Sequence, residues 1–146
     1  MTRLTVKLPY QICIFLRGER MIFRLKTSKK TDLIFKELES RTHLKPFTLV
    51  KHAIAWSVKE NVSVAGFKSD ALGLELNRQT ITGDYDTYFK VLIEQVENRQ
   101  INEEEYFPFF VKAHIDRGTL ILLDMYNHAG GLDKYVKQTL GVGDTV

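Results

Sequence analysis

Cysteine is almost missing from this chain. Cys13 is the only one in 146 residues, which excludes an internal disulfide framework and any zinc site built on several thiolates. A single thiol fits a reducing compartment, so a cytoplasmic protein is expected. Long apolar runs are missing too. No stretch reaches the roughly 18 to 20 residues that span a bilayer, and no membrane association is expected. The opening "MTRLTVKLPYQICIFLRGER" has an apolar middle, but Lys7 and Pro9 interrupt it and no small-residue cleavage site follows. It therefore does not read as a signal peptide. There is no internal repeat and no low-complexity segment.

Catalytic patterns are equally scarce. The four histidines, His43, His52, His114 and His128, are scattered without partners at metal-ligand spacing. No P-loop, no glycine-rich phosphate cradle after a strand and no magnesium-holding carboxylate pair is present. Glu103 to Glu105 read as a favourable helix start rather than a metal site, and Asp84 with Asp86 as turn and capping chemistry. Neither an enzyme nor a metal or cofactor site is expected.

What is present is an average share of hydrophobic (44%) and charged (27%) residues, enough for one domain with a real core. Residues 21–146 are expected to form that domain, with 1–20 as an N-terminal extension. The "RGER" before Met21 is what a translated purine-rich ribosome-binding sequence would give, so Met21 is expected to be the native start. Charge is distributed unevenly. Residues 1–60 carry 13 Lys and Arg against 5 Asp and Glu, net +8, and residues 61–146 carry 8 against 13, net −5. Such asymmetry points to a basic face for a polyanion.

Periodicity gives a mainly α fold. "MIFRLKTS", residues 21–28, alternates as a short strand with a cationic face. A helix capped by Ser28 or Thr27 should follow, with Leu33, Ile34, Phe35 and Leu38 as its apolar stripe. Pro46 should open a second helix burying Phe47, Val50, Ala53, Ile54 and Val58. Trp56 lies off that stripe and is assigned to a second contact, with another subunit. Residues 62–83 read as a connection turning at Gly66, Gly73 and Gly83. A third helix is expected over 84–98, burying Tyr85, Phe89, Leu92 and Val96. A fourth over 104–128 stops at Gly130 and tolerates Pro108 near its start, and a short fifth spans 132–139. At most one strand is expected.

The candidate sites follow from charge and from two unusual blocks. Arg24, Lys26, Lys29, Lys30 and Lys36 cluster on the strand and first helix, within reach of phosphate oxygens; such contacts supply affinity without sequence information. Basic strand, helix, turn, helix is also the order of a ribbon-helix-helix unit, in which strands pair between subunits. In "HIDRG", His114 and Arg117 share a helix face, and Gly118 costs about 1 kcal/mol against alanine inside a helix. Close approach of another helix is the expected reason. Arg117 is assigned to a buried carboxylate such as Asp86, or to an inward anion contact.

Three blocks, "SRTHLKP", "GLELNRQTITGDYDTYF" and "KAHIDRG", together resemble the DNA sulfur modification protein DndE family over about residues 22–127. The residues that carry the resemblance are Arg41, Thr42 and Pro46, then Glu75, Asn77, Arg78, Thr80, Gly83, Tyr85 and Asp86, then Ala113, His114, Arg117 and Gly118. His43 stands where the family pattern has glycine, and Asp116 where it has asparagine. The resemblance implies a small, mainly helical homotetramer; with the periodicity above, a ribbon-helix-helix-like start followed by a helical bundle is the expected fold. The resemblance also implies an accessory, non-catalytic part in DNA phosphorothioation, in which sulfur replaces a non-bridging phosphate oxygen. DNA binding through surface lysines, with a preference for nicked duplex, is implied as well. The implied partners are a cysteine desulfurase, an iron-sulfur PAPS-reductase-like protein and an SMC-like ATPase. Asn77 and Arg78 would then pin the long connection, and Tyr85, Phe89 and Gly118 would line a subunit interface. A ribbon-helix-helix regulator and a scaffold that never touches DNA are the competing classes.

Overall fold

The structure, a computed structural model, describes residues 22–142. Cys13, the N-terminal extension and the expected start at Met21 lie outside the described residues. The chain runs β1 (Arg24–Lys26), α1 (Lys29–Thr42), α2 (Pro46–Lys59), β2 (Glu75–Asn77), α3 (Arg78–Ile81), a 3-10 turn (Gly83–Tyr85), α4 (Asp86–Glu97), α5 (Glu103–Glu105), a π-helical stretch (Tyr106–Val111), α6 (Lys112–Ala129) and α7 (Leu132–Leu140). The fold is mainly helical, with a small antiparallel sheet at its start.

That sheet holds two strands where one was expected. Leu25 faces Leu76 across the ribbon, and Arg24 and Lys26 face Asn77 and Glu75. Side chains alternate across a strand, so the two leucines are buried and their flanking residues exposed. The ribbon forms within one chain, whereas a ribbon-helix-helix protein pairs its strands between subunits.

Both long N-terminal helices owe their starts to local chemistry. Ser28 caps α1, its Oγ accepting the Thr31 N–H at 3.1 Å, and satisfies a donor that the first turn would otherwise leave open. α1 ends at His43 in the left-handed conformation (φ 58°), which explains why the family pattern has glycine here: only glycine reaches that region without a Cβ penalty. Pro46 opens α2 with no side-chain cap, as its missing N–H permits. Thr31, Ile34, Phe35 and Leu38 of α1 and Leu49, Val50, Ala53, Ile54 and Ser57 of α2 are buried. Leu33 and Phe47 are instead exposed, because each lies one step off the stripe that meets the core.

The third expected helix is really a 3-10 turn followed by α4. Gly83 takes a positive φ of 48°, and the turn swings Tyr85 outward to 71% exposure. Ile93 is the fully buried residue of α4, while Phe89, Leu92 and Val96 are half-buried. The fourth expected helix begins at Asn102, whose side chain accepts the Glu105 N–H at 2.9 Å. It loosens into π geometry around Pro108, where a proline ring would clash with the carbonyl four residues back in regular α geometry. It then runs regularly to Gly130, left-handed at φ 75°. Tyr106, Phe107 and Phe110 from the π stretch fill the core centre beside Phe35, Ile54 and Ile115.

The main packing is α6 on α2, and there the backbones touch. A Cβ on Gly118 would lie 1.7 Å from the Ala53 carbonyl oxygen. The close approach expected at Gly118 is therefore a contact within the subunit and not between subunits. Trp56 also finds its second contact in its own chain: Nε1 donates to the Tyr135 hydroxyl of α7 at 3.0 Å, and His52 Nδ1 lies 3.0 Å from the same oxygen. Gly118→Ala should lower unfolding stability by about 3 kcal/mol or more, since the obstruction is backbone and cannot rotate away. Urea denaturation measures this, and an unchanged midpoint would contradict the contact.

Candidate functional site

Two groups of polar residues stand apart from the core, one buried and one exposed. The buried group surrounds Arg78. Asn77 caps α3, its Oδ1 accepting the Gln79 N–H at 2.8 Å, and this directs Arg78 inward to 5% exposure. There Nε donates to Asp86 Oδ1 at 3.0 Å, Nη2 to Asp86 Oδ2 at 2.5 Å and Nη1 to Glu103 Oε2 at 2.9 Å. Lys90 Nζ completes the cluster, donating to Glu103 Oε1 at 2.7 Å. The guanidinium lies over the Tyr106 ring, 4.9 Å from its centroid, and the Tyr106 hydroxyl donates to the Asp86 carbonyl at 3.1 Å.

Charges in this cluster are fixed. Burial alone would raise the Glu103 carboxyl, but hydrogen bonds from Lys90 and Arg78 outweigh it and hold the group below its usual range. Burial likewise works against the Arg78 cation, and the Asp86 and Glu103 carboxylates reverse the balance. Tyr106 is pushed up, first by burial and then by the Asp86 carboxylate. Removing one partner of a buried ion pair typically costs about 3–5 kcal/mol, because the other is left uncompensated. The cluster therefore joins α3, α4 and α5.

Asp86 belongs to Arg78, so it is not the partner of Arg117. Arg117 instead reaches the end of α2. Its Nε donates to Ser57 Oγ at 2.8 Å, Nη2 to the Ser57 carbonyl at 2.7 Å and Nη1 to the Val62 carbonyl at 2.7 Å. A cation there satisfies carbonyls that the last turn leaves open and complements the helix dipole. Ser57 Oγ also lies 2.8 Å from His114 Nδ1. His114 is fully buried, and its Nε2 has no partner. Burial, assisted by the Arg117 charge, drops its pKa to about 3, so it is neutral in the folded protein.

Asp116 is the third anchor of the same helix. Its Oδ1 accepts the Ser28 N–H at 3.0 Å and the Thr31 hydroxyl at 2.7 Å; its Oδ2 accepts Ser69 Oγ at 2.5 Å and Lys112 Nζ at 2.8 Å. A carboxylate at the start of α1 is favourable for the helix dipole, which suits aspartate at a position where the family pattern has asparagine.

Glu103 and Ser57 were missed as network members, although their spacing signals it. Glu103 stands three, four and seven residues before Tyr106, Phe107 and Phe110, on the buried stripe. Ser57 continues the Leu49, Val50, Ala53, Ile54 stripe in the same way.

The exposed group is the basic face. Arg24, Lys26, Lys29, Lys30 and Lys36 are all exposed, but they are not equivalent. Arg24 donates to Glu75 at 2.9 Å across the ribbon, and Lys36 to Asp32 at 2.9 Å one turn away. Lys26, Lys29 and Lys30 have no ion-pair partner among the described residues. Lys29 and Lys30 occupy the first turn of α1, where a cation opposes the helix dipole by roughly 0.3–1 kcal/mol. Among the described residues no group of three or more His, Cys, Asp or Glu side chains could hold a metal ion. No helix among them is long and apolar enough to cross a membrane.

Residues 24–129 match the family model described as DNA sulphur modification protein DndE. Two solved structures share the fold. The crystal structure of DndE from Escherichia coli B7A, involved in DNA phosphorothioation modification, is 19% identical with a TM-score of 0.57. The match covers 70% of this chain and 98% of that one. A glycine-to-lysine mutant of DndE, involved in DNA phosphorothioation, is 19% identical with a TM-score of 0.56, covering 70% of this chain and 99% of its own. No curated protein matches the sequence. The family match ends at Ala129, so α7 lies beyond it.

The neutral, buried His114 has a consequence for pH dependence. Unfolded, it takes up a proton near pH 6.5; folded, only near pH 3. Between those values the unfolded state binds more protons, so stability falls as pH drops through 6.5 and is fully present above about 7. From pH 6.5 to 5 the wild type should lose about 1.6 kcal/mol more than His114→Gln. Urea titrations of both proteins at the two pH values check this difference.

Proposed function

The chain belongs to the DndE family of DNA sulphur modification proteins, and on that footing we propose that it serves DNA phosphorothioation as a non-catalytic, DNA-binding subunit. The observation that carries the DNA reading is the unpaired state of Lys26, Lys29 and Lys30. Three exposed ammonium groups on adjoining turns, two of them at a helix start where they cost stability, are explained by an outside anion. Phosphate contacts of this kind neither read sequence nor require a catalytic group. Arg24 and Lys36, already paired, add to the field of the face more than to direct contacts.

The partners implied by family membership are the cysteine desulfurase, the PAPS-reductase-like protein and the SMC-like ATPase. The sulfur chemistry would reside with them. Assembly of several copies is supported by α4. Tyr85, Tyr88 and Val91 are exposed at 71%, 62% and 46% and recur every three residues, which sets them along one side. Large exposed side chains at the start of α4 suit an interface between copies, and a closed homotetramer would multiply the basic faces available to one DNA. A ribbon-helix-helix regulator is less well supported, because the β1 ribbon is completed by β2 of the same chain.

Replacing Lys26, Lys29 and Lys30 together by alanine should weaken binding to all duplex sequences alike. The slope of log affinity against log salt should fall by about 0.9 per lost phosphate contact. Thermal stability should hold or rise slightly, since the change relieves the dipole at α1. Unchanged affinity at moderate salt would remove the assignment. Separately, Tyr85→Glu with Tyr88→Glu should shift the protein to smaller species in light scattering, with its helical circular dichroism intact. A wild-type monomer at micromolar concentration would refute the assembly.

A further inference from the structure

Two concavities lie where the connection at Phe67–Asp70 crosses the start of α1, the π stretch and α6. One, of about 300 Å³, is lined by Phe67, Lys68, Ser69, Phe109, Lys112 and Ala113. The other, of about 220 Å³, shares Phe67, Lys68 and Ser69 and continues to Lys30, Thr31 and Leu120. The two adjoin along Phe67, Lys68 and Ser69, and the second reaches Lys30 of the basic face; together they make up the groove.

The groove combines aromatic surface with free cations. Phe109 stays 41% exposed, held edge-on by Phe110 with centroids 5.0 Å apart at 89°. Phe67 is half-buried. Lys30 and Lys68 have no ion-pair partner among the described residues. The carboxylates beside them are engaged: Asp116 by Ser28, Thr31, Ser69 and Lys112, and Asp70 by the Lys29 and Leu72 N–H groups. A small, open depression is at the lower end of what an enclosed ligand needs, but it suits one unit of a polymer held elsewhere.

We propose that this groove receives one unpaired nucleobase of a DNA whose backbone lies on Lys26, Lys29 and Lys30, an assignment that presupposes the DNA reading of the basic face. Every base offers a π face, so stacking on an exposed phenyl ring tolerates any sequence, and nearby ammonium groups track the flanking phosphates. Lys30, common to the face and the groove, marks where the strand would leave the duplex path. Lys68 would meet the next phosphate.

Two duplexes of one sequence test this, one fully paired and one carrying a single unpaired 2-aminopurine, each titrated with wild type, Phe109→Ala and Phe109→Tyr. Wild type should prefer the unpaired DNA by about tenfold, the ordinary contribution of one stacked base, and should quench the 2-aminopurine. Phe109→Ala should lose both the preference and the quenching while binding paired duplex as before, and Phe109→Tyr should retain both. The triple lysine variant should weaken both DNAs. Equal wild-type affinity for the two DNAs, or a preference that survives Phe109→Ala, overturns the base site alone. A change of molecular mass in Phe109→Ala without loss of preference makes the groove a contact between copies and overturns it too. Failure of wild type to bind either DNA removes the DNA reading and this inference with it.

Discussion

The contact between Gly118 and Ala53 is the constraint on which the rest of the molecule depends. With no side chain at 118, α6 lies directly on the α2 backbone, and every neighbouring polar group is aimed by that separation. His114, one turn before, reaches Ser57; Arg117 reaches both Ser57 and the carbonyls beyond the end of α2. Asp116, on another side of the same turn, holds the start of α1. Five consecutive residues thus fix two other helices. Moving α6 away from α2 by the width of a methyl group would lengthen the His114 and Arg117 bonds to Ser57 together.

A second joint is independent of the first. Arg78 gathers Asp86 and Glu103 from segments that are otherwise linked by short turns, and Lys90 balances the second carboxylate. Two carboxylates against two cations leave the cluster neutral. Each of its charges is paired within the cluster. The basic face has the opposite character: its free amines are exposed and cost stability where they stand. The fold thus holds satisfied charge inside and unpaired charge on its surface.

Much of the architecture was legible because it was decided locally. Ser28, Pro46 and Gly130 each satisfy or remove a backbone group at a helix end, and such signals need no knowledge of distant residues. β2 was invisible for the opposite reason. Three residues of polar-apolar-polar pattern become a strand only when β1, some fifty positions earlier, lies beside them. Tyr85 was expected to be buried by the third helix or at a subunit interface, and the positive φ at Gly83 turns it out of its own subunit's core. The basic cluster was readable as composition. Which of its members remain free was not, because Glu75 neutralises Arg24 only through the ribbon. Arg117 was assigned to a carboxylate such as Asp86 or to an inward anion, but it binds Ser57 and the Val62 carbonyl, while Asp86 is held by Arg78 eight residues before it.

The docking of α7 carries a consequence of a different kind. Trp56 is the only tryptophan in the chain, and its indole N–H is tied to the hydroxyl of Tyr135 on a helix that lies outside the family-matched span. Lys59 Nζ sits over the same ring, 4.7 Å from its centroid. Indole emission is sensitive to its hydrogen bond and to nearby charge, so the protein contains its own optical reporter of whether the C-terminal helix is seated. The reporter reads α7 directly, because its hydrogen-bond partner Tyr135 belongs to that helix.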